Sequence, residues 1–265
     1  MKPYPSNSLI TPTYNWPDAL ELLLLSVLNQ TVLPDEVIIA DDGSRDDTRE
    51  LIERFQKKFP IPLIHVWHED NKNRKPRIMN MAIAQAKGDY IIEIDGDIIM
   101  NRHFVEDHLT FAEKGTYLYG SRANIQEVKL PELFEKKIIS FNFFSSGIKK
   151  RGRTLRIPFL MSMAKKSPLR SQKLRGCNMS FWKEDFIKVN GFNENLVGWG
   201  IDDSEMIQRL HNIGILGKRL KYAGLAYHIY HKEQSKSHIE INNKIEEETT
   251  NKKLTYIEKG IDQFL

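Results

Sequence analysis

The chain of 265 residues contains a single cysteine, Cys177, so it cannot form an intrachain disulfide. It also lacks a long apolar run, since the longest, ALELLLLSVL (19–28), contains Glu21 and is too short to span a bilayer. The first residues, MKPYPSNSLI, contain no apolar core of a signal peptide. These absences favour a cytoplasmic protein.

Two glycine-rich motifs that hold phosphate groups are missing as well. No G-x-G-x-x-G follows the first predicted strand, and G-x-x-x-x-G-K-[ST] occurs nowhere in the chain. Dinucleotide-dependent oxidoreductases and P-loop enzymes are therefore disfavoured. A bound phosphate would have to be held by a metal ion and by Arg or Lys side chains.

The positive charge of the chain is concentrated in one segment. The net charge is +4, but residues 129–175, called the basic segment below, hold 13 Lys/Arg and 2 Asp/Glu, which leaves +4 − 11 = −7 elsewhere. Its stretch FNFFSSGIKKRGRTLRIPFLMSMAKK (141–166) mixes aromatic and cationic residues. Such a mixture suits an anionic membrane or a phosphate-bearing lipid, and it equally suits a solvated loop with a few core aromatics.

Apolar periodicity predicts an α/β fold. Predicted strands at 7–13, 35–41, 61–67 and 89–95 alternate with predicted helices at 17–30, 47–59 and 77–86, and Ser44 and Asp47 have the spacing of a helix cap. This order implies a mostly parallel sheet with helices on both faces. The second half predicts a strand at 176–182, helices at 183–192, 203–212 and 240–258, and a β-like stretch at 221–231.

Polar clusters follow the first, second and fourth predicted strands, at TPTYN (11–15), DDGS (41–44) and DGD (95–97). Ligands of such sheets bind beyond the carboxyl ends of the strands. The carboxylates of Asp95 and Asp97 suit Mg²⁺ or Mn²⁺, although an ordinary Asp-Gly turn has the same sequence. Asp42 could accept a hydrogen bond from a base, or it could cap a helix.

The stretch GWGIDDSE (198–205) places three carboxylates after a Gly-Trp-Gly turn. Gly198 and Gly200 allow a tight loop, and Trp199 offers an apolar wall to a sugar. The carboxylates begin the next predicted helix, where the backbone N–H groups favour negative charge. An acidic first helical turn without any chemistry has the same pattern.

Six motifs in this order resemble the family-2 glycosyltransferases with a GT-A fold. They are TPTYN (11–15), QTVLPDEVIIADDGSRDDT (30–48), R-x-x-N-x-A-I-x-x-A-x-G-D-Y-I (77–91), IDGD (94–97), GCNMSFWKEDFIKVNGFNE (176–194) and GWGIDDSE, which resembles a galactosyltransferase-like GWG-x-[DE]-[DE] motif. The resemblance covers residues 7–231. It implies a Rossmann-like, mostly parallel nucleotide-binding sheet with a C-terminal acceptor-binding part, and transfer of a sugar from a nucleotide diphosphate.

The same resemblance assigns residues to the donor and to a metal cofactor, Mn²⁺ or Mg²⁺. Pro12, Thr13 and Tyr14 would flank the base, Asp42 would contact the uracil edge, Arg77 the diphosphate or ribose, and Asn178 and Trp199 would complete the donor site. Asp97 would be the main metal ligand, Asp95 would contact metal or ribose, His228 would close the metal site, and His231 would contact metal or phosphate.

The resemblance also assigns the catalytic carboxylates. Asp203 would be the general base of an inverting transfer, Asp202 would bind donor or acceptor hydroxyls, and Glu205 would make a structural hydrogen bond. The donor would be a UDP-sugar, and the acceptor a glycan or a lipid-linked saccharide at the inner face of the membrane, without nucleic acid. Two alternatives remain open here: a nucleotidyltransferase, and a non-enzymatic module that binds polyanions or membranes through the basic segment.

These assignments divide one structural domain into four parts. Residues 1–120 would form the nucleotide-sugar-binding half, and 121–175 a basic aromatic loop segment. Residues 176–231 would form the acceptor-binding and catalytic half, and 232–265 a polar helical tail.

Overall fold

Eight strands form the main sheet of the computed structural model, which describes residues 4–172, 174, 176–198, 200–232 and 238–265. Numbered in chain order, they lie side by side as β3 (Leu63–Trp67), β2 (Glu36–Asp41), β1 (Asn7–Thr13), β4 (Tyr90–Ile94), β10 (Asn178–Trp182), β6 (Thr116–Tyr119), β11 (Leu216–Arg219) and β9 (Lys166–Ser167). The first four are parallel, while β10 is antiparallel to both of its neighbours. The predicted, mostly parallel sheet is confirmed.

A second sheet brings a late segment of the chain to the DGD turn. Its strands are β5 (Ile98–Met100), β12 (Ala226–His228), β7 (Arg122–Ile125) and β8 (Ile148–Lys149). Strand β12 is antiparallel to β5, with His228 opposite Ile98, one residue after Asp97. The β-like stretch predicted at 221–231 is thus a strand of only three residues.

Helices cover both faces of the main sheet. They are α1 (Pro17–Leu28), α2 (Asp46–Gln56), α3 (Lys75–Gln85), α4 (Phe104–Thr110), α5 (Leu130–Glu135), α6 (Pro158–Ser162), α7 (Lys183–Lys188), α8 (Asp202–Asn212) and α9 (Ile239–Asn251). Tyr90 and Ile92 of β4 pack with α1, α2 and α4, whereas Ile91 packs with α3, α7 and α8. Both faces of β4 are buried, which explains why its sequence is apolar except at Glu93.

The start of α2 differs from the prediction. Helix α2 begins at Asp46 without a side-chain cap, because the Ser44 hydroxyl accepts a hydrogen bond from the Asn15 N–H at 2.9 Å instead. The predicted Ser44 cap is therefore wrong. Within the described ranges, none of the helices combines the length and the apolar character needed to cross a bilayer.

A buried ion pair fixes α8, the helix that begins with Asp202 and Asp203. The guanidinium group of Arg209 donates to both Glu205 oxygens, at 2.9 and 2.7 Å, and to the Val189 and Gly191 carbonyl groups. Thr249 of α9 donates to the same Glu205 carboxylate at 2.8 Å. Glu205 has the structural role that its position predicts.

We expect Arg209→Met to destabilise the protein by about 3–5 kcal/mol, because it leaves the fully buried Glu205 carboxylate without its counter-charge. Lys252→Met is the matched control, since Lys252 and Glu248 form an exposed pair worth under about 1 kcal/mol. Urea unfolding measures both. Equal stability of the two variants would contradict a structural role for the buried pair.

Candidate active site

The polar clusters predicted at the strand ends meet at one edge of the main sheet. Strands β1, β2 and β4 are parallel, so Tyr14, Asp42 and Asp95 follow strand ends at the same edge. Gly96 is required there, because a Cβ atom at this position would lie 2.4 Å from the Pro12 carbonyl oxygen. The turn between Asp95 and Asp97 therefore packs directly on the end of β1.

Asp42, the predicted base contact, is buried and hydrogen-bonded. Its carboxylate accepts from the Arg74 N–H at 3.0 Å and lies 2.7 Å from His68 Nε2. Tyr14 is half-exposed and donates its hydroxyl to Asp70 at 3.1 Å. A base that binds to the Asp42 carboxylate must therefore share it with His68 or displace that side chain.

Asp97 lies between the two late histidines. Its Oδ2 atom is 3.3 Å from His228 Nε2 and 3.1 Å from His231 Nε2. Burial raises the pKa of the Asp97 carboxyl, but hydrogen bonds and charge from the two histidines outweigh burial and hold it well below its usual range. Among the described residues, Asp97 Oδ1 is buried and has no hydrogen-bond partner.

This cluster has the chemistry of a divalent metal site. One ligand atom from each of Asp97, His228 and His231 lies within 4.8 Å of the others. Imidazole nitrogen and carboxylate oxygen suit Mn²⁺ and other transition metals, and the unpartnered Asp97 oxygen adds a free ligand atom. The side chains therefore fit a divalent cation.

Asp95 faces a different group, the ammonium of Lys75 at the start of α3. Four carboxylates surround the Lys75 Nζ atom at 3.4 to 3.8 Å, and they belong to Glu93, Asp95, Asp202 and Asp203. The two aspartates of the DGD turn therefore serve separate clusters. One joins the late histidines, and the other joins the carboxylates of α8 through Lys75.

Asp203 has the electrostatic character of a general base. Its pKa is raised to about 7: burial raises it most, Lys75 and the Gly176 N–H lower it, and Asp202 and Asp95 add to the rise. A carboxyl that titrates near neutral pH can take and release a proton. Gly176 makes room for it, because a Cβ atom there would lie 1.8 Å from Asp203 Oδ2.

Three described residues just before these carboxylates have an unusual backbone conformation. Gly198, Gly200 and Ile201 have φ values of 76°, 92° and 80°. A positive φ at a β-branched residue such as Ile201 is costly, and such strain concentrates at functional sites. Trp199, predicted as a sugar contact, lies outside the described residues.

Two predicted donor residues lie in structural contacts instead. The Arg77 guanidinium group pairs with Glu194 at 3.1 Å and lies over the Phe264 ring. Its positive charge therefore faces Glu194 and not the carboxylates around Lys75. Asn178 is fully buried, donates to the Ser121 and Gly224 carbonyl groups and contacts His108. Both side chains are thus engaged within the protein and are not free to bind a donor as they lie.

Sequence reasoning missed three residues of this region: Lys75, Glu93 and Arg122. Neither Glu93 oxygen has a hydrogen-bond partner within the described part of the chain, and burial, followed by Asp203, raises its pKa well above the usual value. Burial lowers the pKa of Arg122, but nearby Cys177, Asp95 and Asp97 raise it overall. A Glu inside the apolar strand YIIEI was the one available signal.

Comparison with known families identifies the class of protein. Residues 8–170 match glycosyl transferase family 2, and residues 157–232 match a family described as the N-terminal domain of galactosyltransferase. The first match covers more than half of the chain. The chain belongs to glycosyl transferase family 2, as its motifs predict.

Curated relatives include two chondroitin synthases. That of Pasteurella multocida is 26% identical over 242 residues, which cover 83% of this chain and 24% of the relative. That of Escherichia coli is 26% identical, over 83% of this chain and 34% of the relative. Validoxylamine A glucosyltransferase of Streptomyces hygroscopicus is 27% identical, over 80% and 49%. The chain thus spans about a quarter to a half of these relatives.

Solved structures share the fold at low sequence identity. TarS of S. aureus superposes with a TM-score of 0.64 and 19% identity, over 93% of this chain and 40% of TarS. The mannosyltransferase PcManGT of Pyrobaculum calidifontis, in complex with GDP-Man and Mn²⁺, gives 0.60 and 20%, over 85% and 57%. The predicted GT-A fold is confirmed.

We expect Gly176→Ala to lower glycosyl transfer at least about tenfold, because the new methyl group must displace the Asp203 carboxylate. Gly152→Ala is the control, since nothing in the described structure lies within 4 Å of a Cβ atom there. Initial rates and melting temperatures of both variants provide the test. Full activity of Gly176→Ala would show that the position of Asp203 does not matter for transfer.

Proposed function

We propose that this chain is an inverting, metal-dependent glycosyltransferase that moves a sugar from a UDP-sugar to a saccharide acceptor, with Asp203 as the general base. The observation that carries the proposal is the separation of two charged clusters. Asp97 with two histidines suits the leaving diphosphate, and Asp203 beside Lys75 suits the attacking hydroxyl.

The donor would bind along the carboxyl edge of β1, β2 and β4. Pro12, Thr13 and Tyr14 would flank the base, and Asp42 would contact its edge. Solved relatives support the class of donor, since TarS has been crystallised with UDP and with UDP-GlcNAc. Asp95 would bind the ribose or the metal.

The chemical step needs a base on one side of the sugar and a stabilised leaving group on the other. Asp203 would take the proton of the acceptor hydroxyl while the oxygen of that hydroxyl forms a bond to the anomeric carbon. The bond from that carbon to the diphosphate breaks on the opposite face, so the anomeric configuration inverts. Asp202 would hold sugar hydroxyls beside Asp203.

Asp97, His228 and His231 would hold the cation, Mn²⁺ or Mg²⁺. Bound there, a divalent cation would supply positive charge to the departing diphosphate. PcManGT and GalNAc-T7 have both been crystallised with Mn²⁺. Arg122, whose charge lies near Asp95 and Asp97, would add a second positive group.

The acceptor would be a saccharide, either free or linked to lipid. Relatives described as chondroitin synthase and as a poly(ribitol-phosphate) N-acetylglucosaminyltransferase support a polymeric or cell-surface acceptor. A lipid-linked acceptor would require the active site to approach a membrane surface.

A panel of UDP-sugars with Mn²⁺ tests the donor, the metal and the stereochemistry together. We expect slow UDP release from one donor, abolished by EDTA and by Asp97→Ala. Asp46→Ala is the matched control, because Asp46 is exposed at the start of α2. NMR of the transferred product should show an inverted anomer.

Three results would count against the proposal. Release of pyrophosphate instead of UDP would indicate a nucleotidyltransferase. An α-linked product from an α-donor would contradict inversion. UDP release that survives both EDTA and Asp97→Ala would remove the proposed metal site.

Lys75→Met should shift the pH dependence of transfer. Asp203 must be ionised to act as a base, so kcat/KM should rise with pH through about 7 in the parent protein. Removal of the adjacent positive charge raises the Asp203 pKa, so the rise should move upward by about one to three pH units. Lys75→Arg keeps the charge and should leave the pH profile nearly unchanged.

The pH–rate profiles of the parent protein and of the Lys75→Met, Lys75→Arg and Asp203→Asn variants give the result. If Lys75→Met lowered the rate equally at every pH, Lys75 would contribute to substrate binding and not to the ionisation of Asp203. A rate of Asp203→Asn that still rose with pH through 7 would show that another group is the base.

A further inference from the structure

We infer that the outer surface of residues 143–169 docks this protein onto an anionic lipid bilayer. This surface lies outside both charged clusters of the active site. The inference concerns binding and not transfer, so its test does not depend on whether the proposed reaction is correct.

The charge of this surface is of one sign. Residues 143–169 contain seven Lys/Arg and no Asp/Glu. Arg156 and Lys166 pair with Asp107 and Glu113, which belong to other parts of the fold. Lys149, Lys150, Arg151 and Lys165 are exposed at its outer side. Clustered cations of this kind are attracted to anionic lipid headgroups.

Large apolar side chains stand among these cations. Phe144 is 85% exposed, Phe159 is 75% exposed, and Met163 and Leu169 are exposed to a similar degree. Arg151 donates to the Phe143 carbonyl group at 3.3 Å, so the Phe143–Phe144 pair lies beside the cationic turn. Exposed aromatic groups beside cations are the pattern of a surface that inserts into the headgroup region.

The inner side of the same residues is fixed to the protein. Ile148, Thr154 and Met161 are buried, and Met161 packs with Leu118 and Leu220. This segment already contributes its own buried residues to the core, and its other apolar side chains remain exposed. Phe159 of α6 and Met163, which follows α6, are exposed on either side of buried Met161 in the chain.

Two anchors place this surface next to the active site. Arg153 donates to the carbonyl group of Arg122, whose side chain lies near Asp95 and Asp97. The Arg156 guanidinium group donates to both Asp107 oxygens, and Asp107 also accepts from the Gly224 N–H just before β12. A docked protein would therefore hold its histidine-bearing strand close to the membrane.

The apolar groups favour a bilayer over a nucleic acid as the partner. Phosphate contacts alone would require the cations only. Insertion into lipid would require both the cations and the phenylalanines. The two kinds of substitution therefore distinguish the two partners.

The experiment is co-sedimentation of the full chain with phosphatidylcholine vesicles, with and without phosphatidylglycerol. We expect binding only to the anionic vesicles, and weaker binding at high salt. The charge variant Lys149→Gln, Lys150→Gln, Arg151→Gln should bind about ten- to a hundredfold more weakly. The apolar variant Phe144→Ser, Phe159→Ser should lose about tenfold.

Matched controls separate this surface from general effects. Lys57→Gln, Lys58→Gln, Lys87→Gln removes three exposed charges elsewhere, and Ile241→Ser, Tyr256→Ser removes two exposed apolar groups. Both should bind like the parent protein, and melting temperatures should show that all variants fold. Equal losses in controls and variants, or no binding by the parent, would overturn the inference. Loss in the charge variant alone, together with heparin binding, would identify a polyanion surface and overturn it as well.

Discussion

A single ammonium group, that of Lys75, lies 3.4 to 3.8 Å from four carboxylates, and the active-site architecture depends on it. Four negative charges this close to one another, around one positive charge, cannot all persist. The protein resolves the conflict through protonation, since the pKa of Glu93 is well above its usual value and that of Asp203 is about 7. The cluster joins α3, β4 and the first turn of α8, so residues from both halves of the chain contact the ammonium group of Lys75.

The same constraint separates the work of the two DGD aspartates. Asp95 belongs to the Lys75 cluster, and Asp97 belongs to the two histidines on and after β12. One cluster holds protons near neutral pH, whereas the other is a carboxylate kept ionised by its neighbours. Transfer of a sugar needs this difference, because one side of the anomeric carbon must accept a proton while the other must stabilise a leaving anion.

The sequence predicts which strands and helices carry the site residues better than it predicts which side chains those residues contact. The positions of Asp42, Asp95 and Asp97 just after strand ends place them at one edge of the sheet, because the carboxyl ends of parallel strands lie at the same edge. Periodicity gives no such information about α3, where Lys75 and Arg77 are about 200° apart on the helix and face different surroundings. Lys75 meets its carboxylates only through tertiary packing. Asn178 shows the converse, since its strand is predicted correctly but lies inside the sheet between β4 and β6.

The central claim is that the two clusters act independently, one on the diphosphate and one on the acceptor. Calorimetric binding of UDP, with and without Mn²⁺, to Asp97→Ala and Asp203→Asn tests it most directly. We predict that Asp97→Ala loses the gain in UDP affinity that Mn²⁺ provides, while Asp203→Asn keeps it in full. Loss of that gain in both variants would show one shared site, and its retention in Asp97→Ala would place the metal elsewhere.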